Sequence, residues 1–468
     1  MFIYILDDDS LLRIFYLCRP VLLDENEADD TRILQGGEWH HERWWHNLAH
    51  VCRGWRYLLL ASASHLGLSL VCTWGTPVAQ MLAHSPPLPL IIDYLDRGLT
   101  AKDEEGIRLA LQRRDHVRCI RLRISVSLSL QKIITAINGE FPTLEYLYIA
   151  FPIKHNTRVI LPQTVQAPHL RHLILGNFAF QIGSPLLTAA GGLVTLSLGW
   201  IHPSAYFSPN ELLQQLSLIP KLETLRITFH SPVPDGEVEE QLVNTPLLTH
   251  VTFPNLRWFA FKGAHSYLDA LLRQIATPFL EKLHIYFFNQ FTYPIPNLTR
   301  FMSATDKLKY HKVTLGFLND RVFVITYPRE GPRIRTFYAR LYRRHLNWQV
   351  SSMAQILNSP IPVLSMVEHL TLQYEKDSML SEGHNEVDRT KWHELLSPFT
   401  NVKNLQVAHE LVRDISGLLQ SDNGESTMGL LPNLKELEYP AKRGTGKPFS
   451  AFIKARQNAG RPVTLVHG

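Results

Sequence analysis

Ala167-Pro168-His169-Leu170-Arg171-His172-Leu173-Ile174-Leu175 sets leucines at the fourth, seventh and ninth positions of a nine-residue block. The block recurs as Phe141–Ile149, Ala190–Leu198, Ile219–Ile227, Phe253–Phe261, Thr277–Ile285, Phe399–Val407 and Leu431–Tyr439, with weaker copies at Val117–Leu122 and Val367–Leu372. Its fourth residue falls at 144, 170, 193, 222, 256 and 280, in steps of 26, 23, 29, 34 and 24. The closing alternation has the period of a strand. The intervening Asn210–Leu216 and Tyr267–Ile275 have helical spacing. Strand, helix and strand in fixed order predict parallel strands joined by right-handed crossovers. Stacking such units buries apolar faces that no unit buries alone.

This pattern resembles a degenerate leucine-rich repeat. The resemblance implies an α/β solenoid with a parallel concave sheet over residues 65–468. The usual asparagine or cysteine after the strand is mostly missing, so irregular turns are expected. The interval Gly316–Pro362 is expected to hold one more unit around Val322–Thr326. Leu66–Cys72 and Leu88–Tyr94 read as strands, Phe449–Ala459 as a final helix and Pro462–Val466 as a capping strand.

Alternation also selects the residues that face out of the concave sheet. They are Tyr146, Tyr148, His172, Thr224, Arg226, Trp258, Lys262, Lys282, His284 and Tyr286. Aromatics and cations are the residue types of binding hot spots. Arg329–Arg344, REGPRIRTFYARLYRR, adds six arginines among aromatics. It has the composition to meet phosphate or an acidic segment, although such a run more commonly forms a solvated helix face.

The first sixty residues follow different rules. Asp7-Asp8-Asp9-Ser10 supplies a cap and negative charge for a helix start, and Leu11, Ile14, Phe15 and Cys18 follow at helical spacing. An acidic stretch, Asp24–Asp30, then leads to Gly36-Gly37 and reads as a loop. In His40–Trp55, HHERWWHNLAHVCRGW, the zinc-protease pattern fails. His41 and His46 are five apart, about 140° around a helix. His46 and His50 have the right spacing, but Asn47 stands where that pattern needs glutamate. Trp45, Leu48, Cys52, Trp55 and Leu59 instead make one apolar stripe, flanked by Trp44, Val51 and Leu58. Gly54 leaves open two shorter helices with a break near it.

Leu6–Phe15 together with Leu48–Arg56 resembles an F-box of the fungal type. Val51-Cys52-Arg53-Gly54-Trp55-Arg56 follows that pattern, whereas Asp7 stands where the family has proline and an insertion separates the halves. The resemblance implies a helical module over residues 1–64, with its insertion at about 20–43, that docks on a Skp-type adaptor and through it a cullin. It implies adaptor-binding roles for Leu11, Ile14, Phe15, Leu48, Val51, Cys52 and Trp55. Some of these must pack inside the module, and periodicity does not separate the two groups. The implied function is a substrate receptor of a cullin–RING ubiquitin ligase, with an unidentified protein target on the repeats. The alternative is a leucine-rich scaffold with a decayed F-box, outside ubiquitination.

Composition excludes other classes. The net charge of +5 over 468 residues does not require a nucleic-acid partner. Cys18, Cys52, Cys72 and Cys119 lack CxxC spacing, so reduced thiols in an intracellular, cytoplasmic or nuclear protein are expected. Phe2–Leu6 is too short for a signal sequence, and Tyr57–Trp74 is uncharged but broken by polar residues, so no membrane partner is expected. No GxSxG, P-loop or HExxH is present. A metal-dependent hydrolase built on His41, His46 and His50 is the remaining enzyme reading. The expectation is no catalytic residue, no metal and no cofactor.

Overall fold

The computed structural model describes residues 6–19, 43–95, 99–123, 129–151, 160–230, 249–290, 292–305, 308, 310–329, 335–358, 364–375, 387–420, 429–440 and 448–467. Two compact units divide the chain, Met1–Ala205 and Tyr206–Gly468.

The repeated block explains itself in hydrogen bonds. Leu170 N–H donates to the Ala167 carbonyl, Leu193 to Ala190, Leu222 to Ile219 and Leu280 to Thr277. Each is a turn closed from its fourth residue to its first, and in all but the Ala190 copy, which has Gly191, proline at the second position presets the backbone for it. The first and fourth residues are buried in every copy. The fifth residue then hooks one repeat to the one before: Arg171 N–H donates to Glu145 O, Val194 to Arg171 O, Glu281 to Arg257 O and Lys435 to Lys403 O. The seventh and ninth positions stack in ladders, as in Leu147–Leu173–Leu196 and Leu225–Phe259–Leu283. These rungs are buried throughout.

Among the described residues, the first unit opens with the helices α1 (Asp8–Leu17), α2 (Trp44–Ala49), α3 (Arg53–Ala61) and α4 (Ala63–Leu66). Gly67 ends α4 at φ +62°, a left-handed position that favours glycine. Six strands follow in chain order: β1 (Leu70–Cys72), β2 (Leu90–Tyr94), β3 (Val117–Arg123), β4 (Tyr146–Ala150), β5 (His172–Gly176) and β6 (Thr195–Ile201). All five pairings among them are parallel. Ala101–Leu111, between β2 and β3, buries one face and starts with a capping box made by Thr100 and Asp103.

In the second unit the strands are β7 (Thr224–Phe229), β8 (Val251–Thr252), β9 (Trp258–Gly263), β10 (Ile275–Ala276), β11 (Lys282–Phe287), β12 (Lys312–Leu318), β13 (Arg321–Tyr327), β14 (Phe337–Tyr342), β15 (His369–Glu375), β16 (Asn404–Val407), β17 (Glu436–Tyr439) and β18 (Thr464–His467). The order is β7-β9-β11-β14-β13-β12-β15-β16-β17-β18, and β8 and β10 pair separately. The expected helices at 210–216 and 267–275 form as Pro209–Leu216 and His265–Gln274, and the last helix as Ser450–Asn458.

The interval after Gly316 departs from expectation. It holds no simple parallel unit: β13 runs antiparallel to both β12 and β14. Asn319-Asp320 turns β12 into β13, and β14 returns to pair parallel with β11. No proline–leucine turn precedes β13, so the backbone reverses instead of crossing over. The fold is therefore an α/β repeat stack with parallel strands and one antiparallel insertion. No described helix is long and apolar enough to cross a membrane.

Candidate functional site

Asp7 caps α1 by accepting Ser10 N–H at 2.7 Å, and this bond holds its carboxyl below the usual range. Leu11 and Phe15 point into the helical module, where Phe15 is 0% exposed and meets the Trp55 ring edge-on at 4.9 Å. The single stripe expected over 45–59 is two helices, because the chain breaks at His50–Cys52. The break falls just before Gly54. Its cause is Cys52, whose Sγ accepts Trp55 N–H and starts α3. Trp45 is buried and donates from Nε1 to Ser69 O at 3.2 Å.

The seven expected adaptor residues thus separate. Leu11 and Phe15 are core, and Leu48, Cys52 and Trp55 are half-buried. Ile14 is 40% and Val51 54% exposed, and both face outward. Leu17 and Tyr57, 76% and 78% exposed, were not selected from the sequence. Leu17 lies three residues from Ile14, on the same side of α1. Its position past the last buried residue was the available signal. His40, His41 and Glu42 lie outside the described residues. His46 titrates below its ordinary value because of burial, then Arg43 and His50.

On the first unit's sheet, Val71, Ile91, Cys119, Tyr146, His172 and Thr195 stand in one row. Val71, Ile91 and Cys119 are buried there with Tyr146 packed against them. Tyr146 and His172 remain half-exposed, their rings 5.5 Å apart. Tyr148, in the next row beside Arg121, is 3% exposed and offers little surface.

The second unit gathers the other expected residues. Arg226, Trp258, Lys262, His284 and Tyr286 are half-exposed on the face opposite the buried ladder. The Arg226 guanidinium lies 5.3 Å from the Trp258 ring centre, and Lys282 Nζ 5.9 Å from it. Trp258 meets His284 edge-on at 5.7 Å. The sequence had favoured a helix for Arg329–Arg344, but Phe337–Tyr342 is strand β14. Phe337, Ala339 and Leu341 are fully buried; Tyr338, itself only 9% exposed, and the half-exposed Arg340 alternate with them toward the face. Tyr338 touches both His284 and Tyr286, at 5.8 and 5.4 Å. Arg340 lies 4.8 Å from the Tyr286 ring. The alternation in FYARLY was the missed signal.

His311, Glu368 and His369 come together with their ligating atoms within 4.8 Å of one another. None was singled out in the sequence. Lys403 Nζ is 3.0 Å from Glu368, so the site already carries a cation. That charge disfavours a metal ion. The Cys72 thiol is pushed up to about 12 by burial, which leaves it protonated and unreactive.

No family model matches the chain, and the search of curated proteins finds no match. Among solved structures, the leucine-rich repeat-containing protein LegL7 from Legionella pneumophila is similar at 13% identity and a TM-score of 0.25. The match covers 85% of this chain and 99% of that one.

Proposed function

We propose that the chain is a substrate-receptor subunit of a cullin–RING ubiquitin ligase, with residues 1–64 as an F-box that docks a Skp-type adaptor. The observation that carries this reading is Ile14, Leu17, Val51 and Tyr57 standing exposed on a helical module whose own core is closed by Phe15 and Trp55. Exposed apolar anchors beside a filled core have docking as their natural use. The repeats would then hold a protein target on the sheet face. Catalysis of ubiquitin transfer lies with the ligase, and this subunit contributes position: two partners held on one chain react at a raised effective concentration.

Co-purification with a Skp-type adaptor tests the reading. Wild type is expected to carry the adaptor through size exclusion, and Val51→Asp to lose it while melting as wild type does. Absence of adaptor from well-folded wild type would sink the proposal. A second reading, a repeat scaffold outside ubiquitination, is favoured by Asp7, which caps α1 where the F-box pattern has proline. Retention of a protein target without any adaptor binding would select it.

A further inference from the structure

The first unit's strands begin at β1 and the second unit's end at β18, and these two edges are finished differently. On the β1 side, edge carbonyls are taken up by side chains: Trp45 Nε1 donates to Ser69 O at 3.2 Å and Arg43 Nη2 to Val71 O at 3.2 Å. β18 has no such cover. Among the described residues it pairs with β17 alone, in parallel, with Leu465 beside Leu437 and Val466 beside Glu438. Thr464 N–H points inward and donates to Lys435 O at 2.8 Å. Backbone direction alternates along a strand, so Leu465 turns its N–H and C=O to the open side. The side chains agree. Leu405 and Leu437 are 1% and 0% exposed, but Leu465, the next rung of that ladder, is half-exposed and Val466 is 42% exposed. No proline, lysine or bulge interrupts Thr464–His467 to discourage pairing.

The open edge also has a sign. β17 sets Glu436 beside Thr464 and Glu438 beside Val466. The described partners of these two carboxylates are the side-chain amides of Asn404 and Gln406, which bring no charge. β16 and β18 hold no lysine or arginine, and Lys435 and Arg461 stand before β17 and β18 begin. From this edge we infer that β18 takes an extended segment of a partner protein in which valine or leucine alternates with lysine or arginine. Such a segment adds a strand. Its backbone meets Leu465 N–H and C=O, and its apolar residues extend the Leu405–Leu437–Leu465 ladder. Its cations reach back across Thr464 and Val466 to Glu436 and Glu438. An added strand lies about 10 Å from β17 at the usual spacing, and a lysine or arginine stem laid over Val466 covers that distance. These residues belong neither to the helical docking surface nor to the sheet face around Trp258. Failure of adaptor docking would overturn the ligase reading and leave this inference standing.

The test titrates the full chain into fluorescein-labelled nonapeptide pools in which valine alternates with Lys/Arg, with Gln or with Asp/Glu. The basic pool is expected to bind roughly tenfold more tightly than the glutamine pool, and the acidic pool more weakly than either. Two adjacent prolines at the centre of the basic peptides should abolish binding, because one of them removes a donor from the ladder. The double variant Glu436→Gln/Glu438→Gln should lose most of the preference for the basic pool while melting as wild type does. Glu438→Gln should be the larger single loss, since Lys435 adjoins Glu436 in the chain. Amide exchange at Leu465 should slow in the bound state. Equal binding of the three pools, binding that survives the prolines, or unchanged exchange at Leu465 under saturating basic peptide would each overturn the inference. So would a dimer of the free chain with Leu465 already protected, because the edge would then belong to a second copy.

Discussion

Phe15 is core and Val51 is exposed, although the F-box resemblance assigns both one role. Phe15→Ala removes a fully buried ring and its edge contact with Trp55, and should cost about 3–5 kcal/mol in a denaturant melt. Val51→Asp exchanges an exposed side chain and should stay within ~0.5 kcal/mol. The sequence held both residues but not the difference. Helical spacing gives the direction of an apolar face, and a module this small uses more than one face. His369 gives a residue-scale pH prediction. Burial, then His311 and Lys312, lower its titration, against Glu368 and Glu436, which raise it. The folded state therefore favours the neutral ring. That stability is full above the ordinary value of 6.5 and declines as pH falls through it toward the lowered value. Glu368, held low by its bond to Lys403, stays charged in this window. Melting points should fall from about pH 7.5 to about 5.5, and fall less in His369→Gln. A flat profile in wild type contradicts the assignment.

At the scale of elements, the nine-residue block was legible because one short code sets the turn, the hook to the preceding repeat and the buried ladder together. The hairpin β12–β13 and strand β14 were not, because no proline–leucine turn announces them and arginines mask their alternation. One residue marks the insertion after the fact. Gly316 stands across from Phe323, and a Cβ there would collide with the Phe323 ring. Absence of a side chain lets that ring lie flat over the sheet beside Tyr338. Gly316→Val should swing the Phe323 ring aside at a cost within ~0.5 kcal/mol, because the clash is with the far end of a half-exposed side chain. A loss of several kcal/mol in a denaturant melt would contradict this reading of the ring.

Each of the two units stacks strand–helix repeats, and the first opens with helices. The sequence carried that organisation, since repeat spacing survives when individual letters drift. It left the chemistry of the sheet face half-read: Arg226, Trp258, Lys262, His284 and Tyr286 were visible, and the run holding Tyr338 and Arg340 was noticed but not placed on a strand beside them. It also left open which helix residues meet a partner. Amide hydrogen exchange of the full chain, with and without a Skp-type adaptor, tests the central claim most directly. The account predicts slowed exchange in α1, α2 and α3, with Asp8–Leu17 and Arg53–Ala61 most protected, and unchanged exchange in β7 to β15. No change in the helices at saturating adaptor, or protection confined to the sheet, would contradict it.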